Sequence, residues 1–161
     1  MNNSLGEIEL AMQENWPECK ESMSLSLLGM VHLQQQFKNQ FVNYVAGYDL
    51  QEADFSVLIT LRRSPKPYCL SPTDLYKSML FSSGGLTKVL GRLAASGLIE
   101  RLENKQDKRS KLVKLNIKGK ELVERMLPEL HLQQKTLLAR LSSEEVLQLE
   151  NLLKKALADP V

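Results

Sequence analysis

The sequence predicts a mainly α protein carrying a small β-hairpin wing, and three observations predict it. Most of the chain repeats apolar side chains at three- and four-residue spacings, the period of an amphipathic helix. After Gly97 the period changes to two on either side of a polar, charged run, Glu103 to Ser110 (ENKQDKRS). Directly before that hairpin stand two short helix signals joined by a tight connection, the sequence shape of a helix-turn-helix. The expected architecture is a winged helix-turn-helix between long N- and C-terminal helices.

The elements follow in order. The first twenty residues mix acids with Trp16-Pro17 and read as a frayed or short packed arm. From Glu21 to about Tyr48, Leu33, Phe37, Phe41, Val45 and Tyr48 fall on one helical face, and Gly47-Tyr48-Asp49 ends the helix. A second helix runs from about Glu52 to Arg63. Ser64-Pro65-Lys66-Pro67 stops it, because proline cannot continue a helix and restricts the residue before it. Ser71-Pro72-Thr73-Asp74 starts the next, short helix to about Met79, with Ser71 as cap, proline in the first turn and a carboxylate at the positive end. Ser82-Ser83 offers another cap for a helix with Leu86, Val89, Leu90 and Leu93 on one face, and Gly97 stands where a left-handed C-terminal residue belongs. Leu98 to Leu102 reads as one strand and Leu112 to Ile117 as the second. A long helix from about Lys118 to Leu141 contains Pro128, which should bend it. The last helix opens on Ser142 and Glu145 in capping-box spacing. The domain boundaries expected are 1–48 for the arm and first long helix, 49–117 for the winged helix-turn-helix, and 118–161 for the C-terminal helices.

Composition narrows the function. A chain of 161 residues, 43% hydrophobic and 25% charged, suits one globular domain with helical extensions. Its longest apolar run, Leu25 to Val31, is broken by Ser26 and Gly29 and is far short of the ~20 residues of a membrane span. The start, MNNSLGEIEL, has neither a basic stretch nor an apolar core, so no secretory signal and no membrane partner is expected. Cys19 and Cys69 are lone and His32 and His131 isolated, which points to a reducing cytoplasm and no zinc site. No GxGxxG, GxxxxGK[ST], GxSxG or HExxH occurs, so neither an enzyme nor a cofactor is expected. The net charge is only +2, but its distribution is uneven. Between Ser71 and Lys120 eleven cations face four acids, a surplus of seven, which leaves −5 for the rest of the chain. A basic middle between acidic flanks suits a polyanion partner.

The order of elements, and the run from Ser82-Ser83-Gly84-Gly85-Leu86-Thr87-Lys88 through Arg92-Leu93 to Gly97-Leu98-Ile99-Glu100-Arg101, resembles the MarR family of winged helix-turn-helix regulators. Asp107-x-Arg109, followed by Val113-x-Leu115 and Gly119, is similar to that family's D-x-R wing signature and closing L-T-x-x-G. Asn116 replaces the usual threonine, and asparagine caps a helix equally well. The resemblance spans about Ser24 to Leu157. It implies a sequence-specific regulator of transcription that binds double-stranded DNA, a repressor released by a ligand.

The residue types suit that chemistry. The major groove admits a helix and presents a distinct donor and acceptor code. Ser82, Ser83, Thr87 and Lys88 are small or cationic groups for reading it, with Arg92 one turn beyond Lys88. Gly84 and Gly85 would let backbone amides approach phosphate. Ser71, Thr73 and Lys77 would touch the sugar-phosphate backbone and set register. In the wing, Lys105, Lys108, Arg109 and Lys111 form a cationic tip, Arg109 suits a narrow minor groove, and Asp107 would hold a neighbouring arginine.

The family is dimeric, and long helices with wide apolar stripes need a partner surface. Leu137, Leu149, Leu152, Leu153 and Leu157 are the dimer candidates, and a two-fold dimer implies a pseudo-palindromic operator. The family also implies a small aromatic or phenolic effector, with His32, Gln36, Phe55 and Met126 as candidate liners. Two alternatives stand beside this reading. A cysteine sensor would use Cys19 or Cys69, which needs exposure and a lowered pKa. A winged helix that binds protein instead of DNA would show a weakly charged reading face.

Overall fold

The computed structural model describes residues 4–79, 85–104 and 111–158. Its elements are α1 (Leu5–Asn15), α2 (Leu25–Ala46), α3 (Glu52–Arg63), β1 (Cys69–Leu70), α4 (Pro72–Ser78), α5 (Leu86–Ala95), β2 (Ile99–Glu103), β3 (Lys111–Leu115), α6 (Ile117–Lys135) and α7 (Ser143–Ala156). Short 3-10 turns occupy Pro17–Glu21 and Thr136–Leu138. This is the expected mainly α fold with a small antiparallel sheet. Among the described residues no helix is long and apolar enough to cross a membrane.

Local chemistry places most boundaries. The Ser71 hydroxyl accepts from the Asp74 amide at 3.1 Å and donates to its carboxylate at 2.6 Å, so α4 starts where the sequence predicts. Ser142 and Glu145 cap α7 reciprocally, through Glu145 N to Ser142 Oγ at 3.3 Å and Ser142 N to Glu145 Oε2 at 2.8 Å. Gly97 takes φ +68° and closes α5 in a Schellman motif, with Leu98 N bonded to the Leu93 carbonyl and Gly97 N to the Ala94 carbonyl, both at 3.0 Å. Asn116 caps α6 by accepting from Gly119 N at 2.8 Å.

Four expectations change. The N-terminal arm is a helix: α1 opens on a Ser4–Glu7 capping box that the same S-x-x-E spacing could have revealed. The sheet has a third strand, because the short β1 gains ladder bonds from β3, a tertiary event invisible in local pattern. The described start of the second helix of the pair is Leu86, after Gly85 in the left-handed region at φ +89°; the proposed caps Ser82 and Ser83 lie outside the described residues. The long C-terminal helix continues through Pro128 but ends at Lys135, short of Leu141.

The chain forms two compact units, one of residues up to Gln40 together with those from Gln134, the other Phe41–Gln133. The second has the core. α3 lies within it, burying Asp54, Phe55, Ser56, Val57, Leu58, Thr60 and Leu61. Every buried apolar side chain among the described residues falls between Phe41 and Leu130. In the first unit none of the side chains of α1 and α7 is fully buried.

The sheet order is β1-β3-β2. Cys69, Lys114 and Glu100 stand in one row across it, and Leu70, Val113 and Arg101 in the next. Strand side chains alternate between faces, so the row holding buried Val113 faces the helices and the row holding Lys114 faces away. Gly119 lets α6 start against β2: a Cβ there would sit well inside contact distance of the Leu98 carbonyl oxygen and 2.9 Å from Leu115 Cδ1.

Candidate nucleic-acid interface

The helix-turn-helix is α4 and α5, each anchored by apolar side chains. Leu75 of α4 and Val89, Leu90 and Leu93 of α5 are buried, a 3.6-residue pattern that fixes which face of each helix is left for a partner. That remaining face carries exposed Thr73 and Lys77 on α4, and Gly85, Thr87 and Lys88 on α5. Ser71 is half-buried at the cap of α4. Gly85 needs no side-chain space, since a Cβ there would meet nothing within 4 Å; its positive φ is what favours glycine.

The wing contributes exposed Lys111 at the start of β3, opposite Glu103. Ser82, Ser83 and Gly84, and the wing residues Lys105, Asp107, Lys108 and Arg109, lie outside the described residues. A cavity of about 470 Å³ separates α5 from the helix-facing side of the sheet, with Thr87 on one wall and Arg101 and Lys111 on the other. Arg101 was not among the residues singled out from sequence. Its register beside Val113 turns it toward α5, and strand alternation from Ile99 was the signal that could have found it.

Arg92 departs from expectation. It does not stand as a second free cation beyond Lys88. Its guanidinium grips the Asp54 carboxylate of α3, with Nε at 3.1 and 3.0 Å from Oδ1 and Oδ2 and one terminal nitrogen at 2.7 Å from Oδ1. Asp54 is 1% exposed and also accepts from Gln51 N at 2.8 Å, capping α3. The Asp54 hydrogen bonds hold the Arg92 guanidinium still more firmly in its charged form. The pair fastens the reading helix to the core. A second link ties α3 to α6: Glu124 accepts from Arg62 at 2.6 Å and pairs with Lys120 at 3.0 Å.

The effector candidates are corrected in part. Phe55 and Met126 are absent from the lining of the cavity beside α5. Both are enclosed core side chains, Phe55 edge-on to Phe41 at 5.6 Å between ring centroids. An apolar residue on a helix face reads the same whether it meets core or ligand, which is why sequence could not separate them. His32 and Gln36 are half-buried on α2. Of the dimer candidates, Leu137, Leu149 and Leu153 are half-buried, whereas Leu152 and Leu157 are 65% and 80% exposed. Cys69 lies half-buried in β1, where burial raises its thiol pKa against a smaller opposing pull from Lys114. That is the wrong direction for a reactive thiolate. Cys19 is half-buried in the first 3-10 turn.

Comparison with known proteins agrees with this geometry. The MarR family pattern matches residues 48–110. The multiple antibiotic resistance protein MarR of Escherichia coli is 37% identical over 97 residues, 60% of this chain and 65% of that protein, so the alignment spans just under two thirds of the relative. A cysteine-to-serine variant of MarR from E. coli, solved in complex with operator DNA, superposes with a TM-score of 0.66 at 32% identity, covering 91% of this chain and 98% of that one. Bordetella bronchiseptica BpsR, whose DNA binding is regulated by 6-hydroxynicotinic acid, superposes with a TM-score of 0.69 at 27% identity, covering 86% and 96%.

Proposed function

The chain belongs to the MarR family, and from that premise we propose that it is a transcription regulator, a repressor that binds double-stranded operator DNA as a homodimer and is released by a small aromatic or phenolic ligand. The observation that carries the reading is the face of α5: Thr87 and Lys88 stand exposed on a helix whose opposite face is buried and whose Arg92 is fastened to Asp54. A rigid helix offering a short hydroxyl and a cation suits the major groove. Lys77 and Lys111 flank it with charge for phosphate, and Ser71 and Thr73 supply hydroxyls at the start of α4. The wing cations Lys105, Lys108 and Arg109 extend that contact, and Asp107 steadies it.

The dimer reading is supported by α1 and α7, none of whose side chains is fully buried in the single chain, while Leu152 and Leu157 leave apolar area in water. Two copies bring two reading helices to a pseudo-palindromic site. Such a protein works in the cytoplasm. A relative from Dickeya dadantii, 33% identical over 82 residues, is named an HTH-type transcriptional regulator, which supports a regulatory role. Ligand release draws support from BpsR and its nicotinic acid derivative.

The experiment is a gel-retardation series of the purified full chain against fragments of its own genome, from low to physiological salt. We expect one or a few fragments to be retarded, and affinity to fall steeply as salt rises. Retardation of no fragment at low salt would sink the proposal. A ligand screen on the retarded fragment then tests release.

A further inference from the structure

On the reading that this chain binds operator DNA, we infer that Tyr76 of α4 is a further contact to it, a neutral phenol that donates a hydrogen bond to a backbone phosphate. Tyr76 is 50% exposed beside Leu75, which is completely enclosed. Residues three and four apart share a helix face, so Thr73, Tyr76 and Lys77 form one exposed face of α4. Pro72 lies one turn before Tyr76 on the same flank, and it lines the cavity that also holds Thr87 of the reading helix. Tyr76 therefore stands between the outer face of α4 and the flank that looks toward α5. The first helix of a helix-turn-helix crosses the sugar-phosphate backbone, and tyrosine is among the side chains that hydrogen-bond phosphate oxygens. A single exposed aromatic is ordinary surface. What sets Tyr76 apart is its place beside Thr73 and Lys77, one turn from a wall of the cavity that α5 shares.

The hydroxyl is free to act. Among the described residues the Tyr76 hydroxyl makes no hydrogen bond. Ser71, by contrast, gives its proton to the Asp74 carboxylate at 2.6 Å, and that bond must break before Ser71 can donate to phosphate. Tyrosine also has only two side-chain torsions to fix, so contact costs it less conformational freedom than it costs Lys77. The backbone beneath the ring is held at both ends of α4. At the start, Asp74 N donates to Ser71 Oγ at 3.1 Å. At the end, the Arg63 guanidinium donates to the Ser78 carbonyl, and Met79 N donates to the Tyr76 carbonyl itself at 3.3 Å. A side chain carried on a fixed backbone is placed to meet the same phosphate in every complex.

The test titrates the full chain and its variants against a retarded genomic fragment and an unrelated duplex, at several salt concentrations. Tyr76→Phe keeps the ring and removes only the hydroxyl. It should weaken binding to both duplexes by about tenfold, the loss of a hydrogen bond to a charged acceptor. Because the phenol is neutral, the slope of log K against log salt should stay at the parent value, whereas Lys77→Ala should reduce it. The variant should melt within about 1 °C of the parent, since no described group loses a partner. Ethylation of single phosphates locates the contact: one position in each half-site that blocks the parent should block Tyr76→Phe less. Retardation of no fragment by the parent overturns this inference together with the DNA reading. When the parent binds, this inference alone is overturned by Tyr76→Phe binding within about twofold of the parent, by a loss confined to the retarded fragment (a base contact), by a changed salt slope, by an unchanged ethylation pattern, or by a lowered Tm (a structural role).

Discussion

Replacing Arg92 with alanine separates positioning from DNA contact. The substitution removes three hydrogen bonds of 2.7 to 3.1 Å from a carboxylate that is 1% exposed. Breaking a buried ion pair by deleting one partner costs about 3–5 kcal/mol. Two features lower that figure here. The Arg92 side chain is 32% exposed, so water can partly replace it, and Gln51 N still bonds Asp54 at 2.8 Å. We expect a loss of about 2–3 kcal/mol, which for a chain of 161 residues lowers Tm by about 4–12 °C. Thermal melts of Arg92→Ala, Asp54→Asn and the double variant measure it, and the two single losses should overlap by at least ~1 kcal/mol, as for any pair in contact. The DNA arm is the salt dependence. A positioning residue lowers operator affinity without changing the slope of log K against log salt, whereas Lys88→Ala should reduce that slope by about one. If Arg92→Ala melts within about 1 °C of the parent and flattens the salt slope as Lys88→Ala does, Arg92 contacts phosphate and the positioning argument is wrong.

Three further outcomes are expected. Gly119→Ala drives a Cβ into the Leu98 carbonyl, and because backbone cannot rotate away the cost should be about 1–3 kcal/mol, read as a lowered Tm. Tyr44 donates to the Met126 carbonyl at 2.8 Å, and burial, with hydrogen bonds to Tyr48 and Glu129, raises its pKa above the ordinary 10.0. A raised folded pKa favours the neutral phenol, so its stabilisation is complete below 10.0 and is lost as pH climbs past that value toward the folded pKa; the Tm gap between the parent and Tyr44→Phe should narrow there in alkaline melts. Burial raises the Cys69 thiol, so at neutral pH it should react with a disulfide reagent more slowly than free cysteine, and Cys69→Ser should leave any peroxide effect on DNA binding unchanged.

What sequence made legible followed how local the controlling chemistry is. α4 and α7 begin where Ser71 and Ser142 stand, because a cap and its amide partner lie three residues apart. Gly97 marked the end of α5 for a similar reason, the need for positive φ. β1 was not legible, since its strand character comes from pairing Cys69 with Lys114, 45 positions later. The two roles of apolar residues were equally hidden: Phe55 and Met126 are chemically fit to meet a ligand or a core, and only enclosure decides.

The charge count shows the same limit with a consequence for function. The surplus of seven between Ser71 and Lys120 treats every cation there as available to a polyanion. Arg92 is paired with Asp54 and Lys120 with Glu124, and both acids lie outside that segment, so two of the seven are neutralised within the fold. Lys114 faces away from α5, on the outward row of the sheet. The described cations that remain on the face of the helix pair and the inward side of the sheet are Lys77, Lys88, Arg101 and Lys111. Phosphate attraction is therefore concentrated in fewer groups than the sequence suggests, and each should account for a larger share of the salt dependence than an even spread over eleven cations would assign. The acid that restrains Arg92 reduces the charge of the reading helix and in exchange fixes its direction, which is the condition for Thr87 and Lys88 to meet the same base edges each time.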